Sequence, residues 1–252
     1  MIKGLYAAVS GMIQNAAQQQ TLSHNIANLD TPGFKQILTT VQDFMHTQVQ
    51  YSPGNLLKTN LTNIGTLGLG TQYGPEFVDF SQGALETTGN PYDLSIQGNG
   101  LFTVKTPQGT RYTRDGRFIR NAQNNLVTVD GYQVLNQSGQ PIKLPDGTMS
   151  VAQDGTIAVA GKVVTKLGLA VFTNPKVDLV RDMGNLFTSA AKPGTTNPGV
   201  IEQGSLETSN TDPTQVMTQL VQVARSYEAD QQMVQNEDQL TGKTISTLGQ
   251  IG

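Results

Sequence analysis

The sequence predicts an α+β protein in which N- and C-terminal helices form a coiled-coil-like stem and a central domain is mainly antiparallel β-sheet. Near both ends, apolar residues recur at alternating spacings of three and four, as in a helical seam. In the middle, short runs alternate apolar and polar residues, as half-buried strands do. We therefore expect four segments, namely an N-terminal helix with a turn motif (1–35), an extended connector (36–72), a β domain (73–209) and a C-terminal helix (210–252).

The N-terminal helix has an unusual composition. From Met1 to Leu29 the only formally charged side chain is Lys3. Its helical seam comprises Ile2, Leu5, Val9, Met12, Ala16, Leu22, Ile26 and Leu29. Pro32 disfavours helical geometry at the residue before it, and Gly33 accepts a positive φ. A long helix with so little charge is poorly suited to stand alone in water, so we expect it to pack in a coiled assembly.

The middle of the chain predicts strands joined by tight turns. The connector is punctuated by glycine, and from Tyr73 onward runs such as DLSIQ, LFTVK and NLVTV follow one another. Asp-Gly pairs stand at 115–116, 130–131, 146–147 and 154–155. Asp-Gly is favoured in hairpin turns because both central residues must tolerate positive φ. We therefore expect a hairpin at each pair.

One internal repeat marks the limits of the β region. Residues 82–88 are QGALETT and residues 203–209 are QGSLETS. The two copies stand where the chain enters and leaves the predicted domain. We expect them to pair as strands, with Leu85 and Leu206 facing inward.

The C-terminal segment begins with a helix-start signal. Asp212 and Pro213 fit an N-cap followed by a first-turn proline, and Gln215 completes a capping-box pattern. The apolar positions that follow are Met217, Leu220, Ala224, Tyr227, Val234, Ile245 and Leu248. Polar residues interrupt this seam at Gln231, Asp238 and Thr241. Helices at both ends, flanking a different middle, predict that the two termini meet in space.

The amino-acid composition argues against several classes of function. Charged residues make up 14% of the 252 residues, against roughly 25% in ordinary soluble domains. A sparsely charged surface favours packing against copies of the same chain. The net charge is −3 without a Lys/Arg run, so no nucleic-acid footprint is expected. No apolar run approaches the roughly 20 residues of a membrane span. The short apolar run near the N-terminus is broken by Gln14 and Asn15, so no cleavable signal is expected.

Patterns for catalysis and cofactor binding are weak. His24 and His46 are the only imidazoles, and no HExxH motif is present. Gly242-Lys243-Thr244 resembles the end of a phosphate loop, but the first glycine of that motif would fall at Glu237, inside a predicted helix. We expect no enzyme activity, no metal site and no cofactor.

Six blocks of sequence carry a resemblance to a known family. They are LYAAVSGM (5–12), NIANLDTPGFK (25–35), DLSIQGNGLF (93–102), YTRDGRF (112–118), LETSNTD (206–212) and ARSYEAD (224–230). In this order they resemble the bacterial flagellar basal-body rod and hook protein family. The resemblance covers nearly the whole chain, and the ordered set is far more specific than any single block.

The resemblance implies a structural subunit of the flagellar rod that assembles head-to-tail into a helical tube and transmits torque from motor to hook. The implied partners are copies of itself, other rod and hook subunits, the flagellar type III export apparatus and surrounding ring (bushing) proteins. The implied location is the basal body, beyond the cytoplasmic membrane and without a cleaved signal. Within the family, the QG-LET and YTRDGRF blocks favour a distal-type rod protein, whereas the C-terminal stretch is more like a proximal-type one.

The resemblance and the helical spacing together nominate three sets of residues. The expected assembly seam comprises Leu5, Val9, Met12, Leu22, Ile26, Leu220, Ala224 and Tyr227. The expected turn motif comprises Asn25, Asn28, Thr31, Gly33 and Phe34. Phe34 and Leu38 fit the family's export pattern of Phe, three residues and an apolar residue.

Two other function classes remain open on the sequence alone. A secreted β-rich binding module with a helical oligomerisation stalk would have a cleavable signal and many exposed aromatic residues. Aromatic residues make up only 6% of the chain. A hydrolase acting on the cell wall would need a catalytic acid or metal cluster, and no spacing in the sequence indicates one.

Overall fold

The computed structural model describes residues 2–51, 62–194 and 198–249. The helices in these ranges are α1 (Ile2–Ala27), α2 (Pro175–Asp178) and α3 (Pro213–Gly249). The strands are β1 (Ile37–Tyr51), β2 (Thr62–Val78), β3 (Leu85–Thr87), β4 (Leu94–Gln97), β5 (Leu101–Thr106), β6 (Gly109–Thr113), β7 (Phe118–Arg120), β8 (Leu126–Thr128), β9 (Gln133–Val134), β10 (Met149–Val151), β11 (Thr156–Val159), β12 (Lys162–Lys166), β13 (Leu169–Ala170), β14 (Leu179–Arg181), β15 (Phe187–Ser189), β16 (Val200–Gln203) and β17 (Ser205–Glu207). The predicted class, α+β with terminal helices and a central antiparallel β domain, is confirmed.

The chain divides into two compact units. The first contains α1 as far as Ile26, the segment Ile37–Phe77 and the chain from Pro213 onward. The second contains Ala27–Gln36 and Val78–Asp212. Each unit is therefore assembled from segments that are far apart in sequence.

In the first unit, α1 and α3 share a small apolar cluster. Leu22, Val216 and Val223 are its buried members, and Ile26 and Leu220 pack against them. α3 begins directly after Asp212, as the capping pattern predicts. The cluster occupies only part of the length of the two helices, and the coiled-coil-like stem stays a prediction.

The described residues of the segment expected to be an extended connector form the long strands β1 and β2, and residues 52–61 of that segment lie outside the described ranges. They pair with each other in a two-stranded sheet within the first unit. The sequence pattern shows no clear alternation here, and the pairing was therefore not predicted.

The second unit holds the main antiparallel sheets. The largest has the strand order β14-β15-β6-β5-β9-β8-β7, with β13 also paired to β5. β10, β11 and β12 form a three-stranded sheet, while β4 pairs with β16 and β3 with β17. The buried residues of the main core are Leu94, Ile96, Phe102, Val104, Phe118, Leu126, Val134, Ile142, Leu144, Met149, Ile157, Val159, Leu167, Leu186 and Ile201.

Two of the four expected Asp-Gly hairpins are present. Gly131 has φ 86° between the paired strands β8 and β9, and Gly155 has φ 88° between β10 and β11. The other two predictions were wrong, because the strands that flank Gly116 and Gly147 are not neighbours in a sheet. Gly116 is needed for a different reason. A Cβ atom there would lie 1.6 Å from the backbone oxygen of Leu94.

Replacing Gly116 therefore tests the close backbone approach. We expect Gly116→Ala to lower the free energy of unfolding by about 3 kcal/mol or more, because backbone atoms must move to admit the methyl group. Gly242→Ala is the control, because nothing lies within 4 Å of its added Cβ. In the interior of α3 the control should raise stability by about 0.5–1 kcal/mol. Denaturant unfolding of the two variants measures both effects, and equal stabilities would contradict this account.

Candidate functional site

The segment that follows α1 folds into a compact turn within the second unit. The backbone N–H of Thr31 donates to the backbone oxygen of Asn28 at 3.2 Å, and its hydroxyl donates to Asn28 Oδ1 at 3.3 Å. The N–H of Phe34 then donates to the Thr31 oxygen at 3.2 Å. Phe34 itself is buried. The turn motif is thus a locally bonded loop with an apolar side chain at its end.

Gly33 is the most constrained residue of this turn. Its φ is 67°, and its N–H donates to the backbone oxygen of Glu207 at 2.7 Å. A Cβ at this position would lie 2.3 Å from the carbonyl carbon of Arg114 and 2.5 Å from the nitrogen of Asp115. Gly33 therefore meets two requirements at once, a left-handed backbone and direct contact with another backbone.

Lys35, the residue after Phe34, is buried despite its charge. Its Nζ donates to Glu207 Oε1 at 2.5 Å and to the backbone oxygen of Ser81 at 2.6 Å. Glu207 is equally buried, with 1% of its surface exposed. Glu207 Oε1 also accepts a hydrogen bond from the N–H of Gly83 at 2.9 Å.

A second cation completes this cluster. Arg114 Nη1 donates to Glu207 Oε2 at 3.1 Å and to the Ile96 oxygen at 3.0 Å, and Nη2 donates to the Gly98 oxygen at 2.5 Å. The Nε of Arg114 has no hydrogen-bond partner in the described part of the chain. Two buried cations therefore share a single carboxylate.

Burial and neighbouring charges shift the pKa values of Lys35 and Arg114. Burial lowers the pKa of Lys35 below its ordinary value of 10.5; the attraction of Glu207 opposes this shift and the nearby Arg114 charge adds to it. Burial also lowers the pKa of Arg114, which stays charged because guanidinium is not deprotonated in proteins. Removing one partner from such a buried group costs about 3–5 kcal/mol, because an uncompensated charge is left in the interior.

Asn210 bonds to two neighbouring segments. Its Oδ1 accepts from the N–H of Gln36 at 2.8 Å. Its Nδ2 lies 2.9 Å from the backbone oxygen of Asp79, 3.1 Å from that of Ser81 and 2.9 Å from Ser81 Oγ. The N–H of Asp79 donates in turn to the Gln36 oxygen at 2.9 Å. One amide side chain thus connects three separate stretches of backbone.

The internal repeat contributes a strand pair to the same region. β3 and β17 pair antiparallel, with Glu207 opposite Leu85. The pairing of the two copies was predicted correctly, whereas the inward position expected for Leu206 was wrong. Leu85 lies opposite Glu207 and therefore shares its face of the strand pair. Leu85 and Leu206 are only half-buried, and the buried members of β17 are Ser205 and Glu207. The carboxylate takes the inward position because its ion pairs lie there.

The glutamines that open the two repeat copies also have similar roles. Gln82 donates to the Ile96 oxygen at 3.1 Å and accepts from the N–H of Gly98 at 2.9 Å. Gln203 accepts from the N–H of Val151 at 3.0 Å and donates to the Pro91 oxygen at 2.8 Å. In each copy the amide bridges backbone groups of neighbouring chain.

The first unit contains the remaining nominated residues. Asn25 is fully buried; its Oδ1 accepts from the N–H of Ile37 at 3.0 Å, and its Nδ2 donates to the oxygen of the same residue at 2.8 Å. Leu22, Ile26 and Leu220 of the nominated seam meet in the small apolar cluster. The other seam members are exposed or half-buried, namely Leu5, Val9, Met12, Ala224 and Tyr227. Leu38 of the export pattern is exposed.

Polar contacts lie between the helices farther from the cluster. Asn15 donates to Asp230 Oδ2 at 2.9 Å, and a Cβ at Gly11 would lie 2.8 Å from the same oxygen. A Cβ at Gly4 would lie 3.2 Å from Glu237 Oε1. Carboxylates of α3 therefore lie against the glycine surface of α1.

The described residues contain no group of three or more His, Cys, Asp or Glu side chains placed to hold a metal ion. Among the same residues, no helix combines the length and apolarity that crossing a membrane requires.

Three family descriptions match consecutive parts of the chain. Residues 5–35 match the flagella basal body rod protein family, and residues 95–165 match the D1 domain of the flagellar hook protein FlgE/F/G. Residues 202–247 match the C-terminal region of the flagellar basal body rod FlgEFG proteins. The buried cluster draws one residue from each match, namely Lys35, Arg114 and Glu207.

Complete relatives are similar over their whole length. The flagellar basal-body rod protein FlgG of Bacillus subtilis is 31% identical over 261 residues, covering 98% of this chain and 99% of the relative. The chain belongs to the flagellar basal-body rod protein family. FlgF of Caulobacter vibrioides is 32% identical over 255 residues, covering 100% of both chains. Rod-family relatives named FlgG and FlgF therefore match at nearly equal identity.

This family consists of structural proteins of the flagellar basal body and not of enzymes. The buried cluster is accordingly a structural feature of a rod-family subunit. Lys35, Arg114, Glu207 and Asn210 are not among the residues that the sequence nominates, although each lies in one of the six blocks. The available signal was the position of Lys35, a lone cation directly after the apolar end of the turn motif.

Gly33 variants of this rod-family protein test the packed turn. The sequence argument alone suggests that Gly33→Asn is milder than Gly33→Val, because Asn tolerates positive φ. The structure shows that any Cβ meets the Arg114 backbone, so we expect both to destabilise the protein by more than about 3 kcal/mol. Gly131→Asn is the control, since its φ is 86° and nothing lies within 4 Å of its Cβ. Thermal unfolding of the three variants measures the difference, and a stable Gly33→Asn would refute the backbone contact.

The pH dependence of stability tests the charge balance of the cluster. Since the pKa of Lys35 is lower in the folded state than in the unfolded state, the folded state binds fewer protons between the two values, and stability rises with pH there. We compare the free energy of unfolding of the wild type with that of Lys35→Met. We expect the difference, wild type minus variant, to be constant at pH values below the lowered pKa of Lys35. Between that pKa and pH 10.5 the difference should increase. Denaturant unfolding across alkaline pH measures it. A difference that falls with pH would show that the ion pair with Glu207 outweighs burial.

Proposed function

We propose that this chain is a rod subunit that assembles head-to-tail with copies of itself into a helical tube and transmits torque from motor to hook. Contacts of this kind, made between different surfaces of identical subunits and failing to close into a ring, generate helical filaments. The observation that carries the proposal is an exposed apolar face on α1. Tyr6 and Ile13 are 67% and 66% exposed, and Val9 lies between them at helical spacing.

This face lies on a helix that is poorly suited to water. Leu5 is also exposed, and Lys3 is the only formally charged residue of α1. Exposed α3 residues add Met217, Val221, Met233, Leu240 and Ile245. Burial of such residues between subunits would stabilise both helices, since helices depend on packing for most of their stability.

The finer parts of the proposal rest on the family resemblance. We favour a distal-type over a proximal-type rod protein because of the QG-LET and YTRDGRF blocks. The proposed partners are other rod and hook subunits and surrounding ring proteins. The flagellar type III apparatus would export the chain beyond the cytoplasmic membrane without signal cleavage. Phe34 and Leu38 stay the predicted export pattern; burial of Phe34 requires that any reader of this pattern act on unfolded chain.

One charge on α1 tests the assembly face. We expect Ile13→Glu to leave the unfolding of the monomer nearly unchanged, because surface substitutions usually alter stability by less than about 0.5 kcal/mol. Incorporation into basal bodies should be lost, because the new carboxylate would be buried between subunits. Gln19→Glu is the matched control, as Gln19 is exposed on a different side of the same helix.

The readout is the amount of each variant in isolated basal bodies, together with swimming. Wild type and the Gln19→Glu variant should both be present. Normal incorporation of the Ile13→Glu variant would remove this face from the assembly surface. Absence of the wild-type protein from basal bodies would refute the rod function itself.

A further inference from the structure

The chain passes between its two compact units at four points. These are the peptide bonds after Ile26, Gln36, Phe77 and Asp212. Force that reaches the helices of the first unit can pass into the β unit through these four covalent connections. At each crossing, one flanking stretch of chain belongs to the second unit. The contacts of these stretches therefore influence how such a force enters the β-sheets.

A polar network that includes the buried ion pair of Lys35 and Glu207 lies at three of these ends. Lys35 and Gln36 directly precede the second crossing, Asp79 and Ser81 follow the third, and residues 207–210 precede the fourth. We use the name clamp for the six members that connect them, namely Lys35, Gln36, Asp79, Ser81, Glu207 and Asn210.

The bonds of the clamp connect the ends to one another, and Glu207 also accepts a hydrogen bond from Arg114 of the β unit. Lys35 Nζ reaches both the Ser81 oxygen and Glu207, and so joins all three ends. Asn210 does the same through the Gln36 N–H and the oxygens of Asp79 and Ser81. The first crossing is held through the turn, because the Gly33 N–H donates to the Glu207 oxygen.

The clamp joins residues that are far apart in sequence, so its bonds do more than form a local turn. Lys35 and Glu207 are 172 residues apart in sequence, and Gln36 and Asn210 are 174 apart. Charge-assisted hydrogen bonds that are shielded from water are stronger than neutral ones and are little weakened by salt. A hydrophobic contact alone would let the segments slide, whereas these directional bonds fix their relative positions.

We infer that the clamp is a mechanical junction, in which Lys35 and Asn210 are positioning residues that keep the four crossings together when load passes from the helices into the β unit. The inference rests on the proposed rod function for its biological role, since torque is the load. Its physical content is independent of that role. Without the clamp, segment 27–36 would peel from the second unit before the sheets unfold.

Pulling on the full chain tests this directly. The protein contains no cysteine, so Ser23→Cys on α1 and Val177→Cys on α2 provide two unique and exposed attachment points. In the otherwise unaltered chain we expect segment 27–36 to stay attached until the β unit unfolds. In Lys35→Met and Asn210→Ala chains, a separate step at lower force should release the segment before the β unit unfolds, because the attachment at residue 23 lies on α1 just before the first crossing.

The peeling rate at fixed force gives the size of the effect. We expect it to rise at least about tenfold in either clamp variant, a factor that corresponds to roughly 1.4 kcal/mol. Asn136→Ala is the matched control. Asn136 is half-buried like Asn210 and also accepts backbone hydrogen bonds, but only from Ser138 and Gln140 in its own loop. Its loss should not produce the early step.

Two results would overturn the inference. One is an early release of segment 27–36 in the reference chain; the other is identical force responses of Asn210→Ala, Lys35→Met and Asn136→Ala chains. Using two clamp variants guards against a folding defect, since Asn210→Ala removes no charge. In cells, clamp variants should enter basal bodies but lose swimming speed more steeply than Asn136→Ala cells as viscosity rises. Absence of the wild-type protein from basal bodies would refute the rod function while leaving the force result intact.

Discussion

The carboxylate of Glu207 is the interaction on which the junction of this protein depends. It accepts hydrogen bonds from Lys35, Gly83 and Arg114, which lie 172, 124 and 93 residues away in sequence. Two cations and one anion without solvent form a cluster that is costly to assemble and far costlier to leave incomplete. All of these segments must therefore be in place together, so we expect the region around Glu207 to form cooperatively.

Close backbone packing is the second constraint on the region around Glu207. Cβ atoms at Gly33 and Gly83 would lie 2.3 Å and 2.1 Å from backbone atoms of Arg114 and Thr208. Without side chains between them, the segments approach closely enough for backbone groups to bond directly, as in the 2.7 Å contact between the Gly33 N–H and the Glu207 oxygen. The glycines and the ion cluster support the same arrangement, because a shift in one would misplace the other.

The two units differ in the way their apolar residues are used. In the second unit, fifteen side chains form one continuous buried core. In the first unit, the described cluster of α1 and α3 has three buried members, and much of the apolar surface of both helices stays exposed. This distribution of apolar residues would suit a subunit whose β unit folds alone and whose helices bury their apolar residues only on assembly. The mechanical role that we propose for the clamp is one to which directional bonds such as those of Lys35 and Asn210 are suited.

The sequence by itself determined the fold class, the positions of both terminal helices, the pairing of the repeated segments and the membership of the rod-protein family. These features follow from local periodicity, helix-end chemistry and ordered motifs, all of which are written in neighbouring residues. The tertiary structure decided which residue of β17 points inward, why Gly116 is glycine, and that Lys35, Arg114 and Glu207 meet. Each of these depends on atoms contributed by segments more than ninety residues apart, or on a backbone approach that leaves no room for a Cβ. Local patterns record which face of a strand is apolar, but they do not record a buried charge whose partners come from elsewhere in the chain.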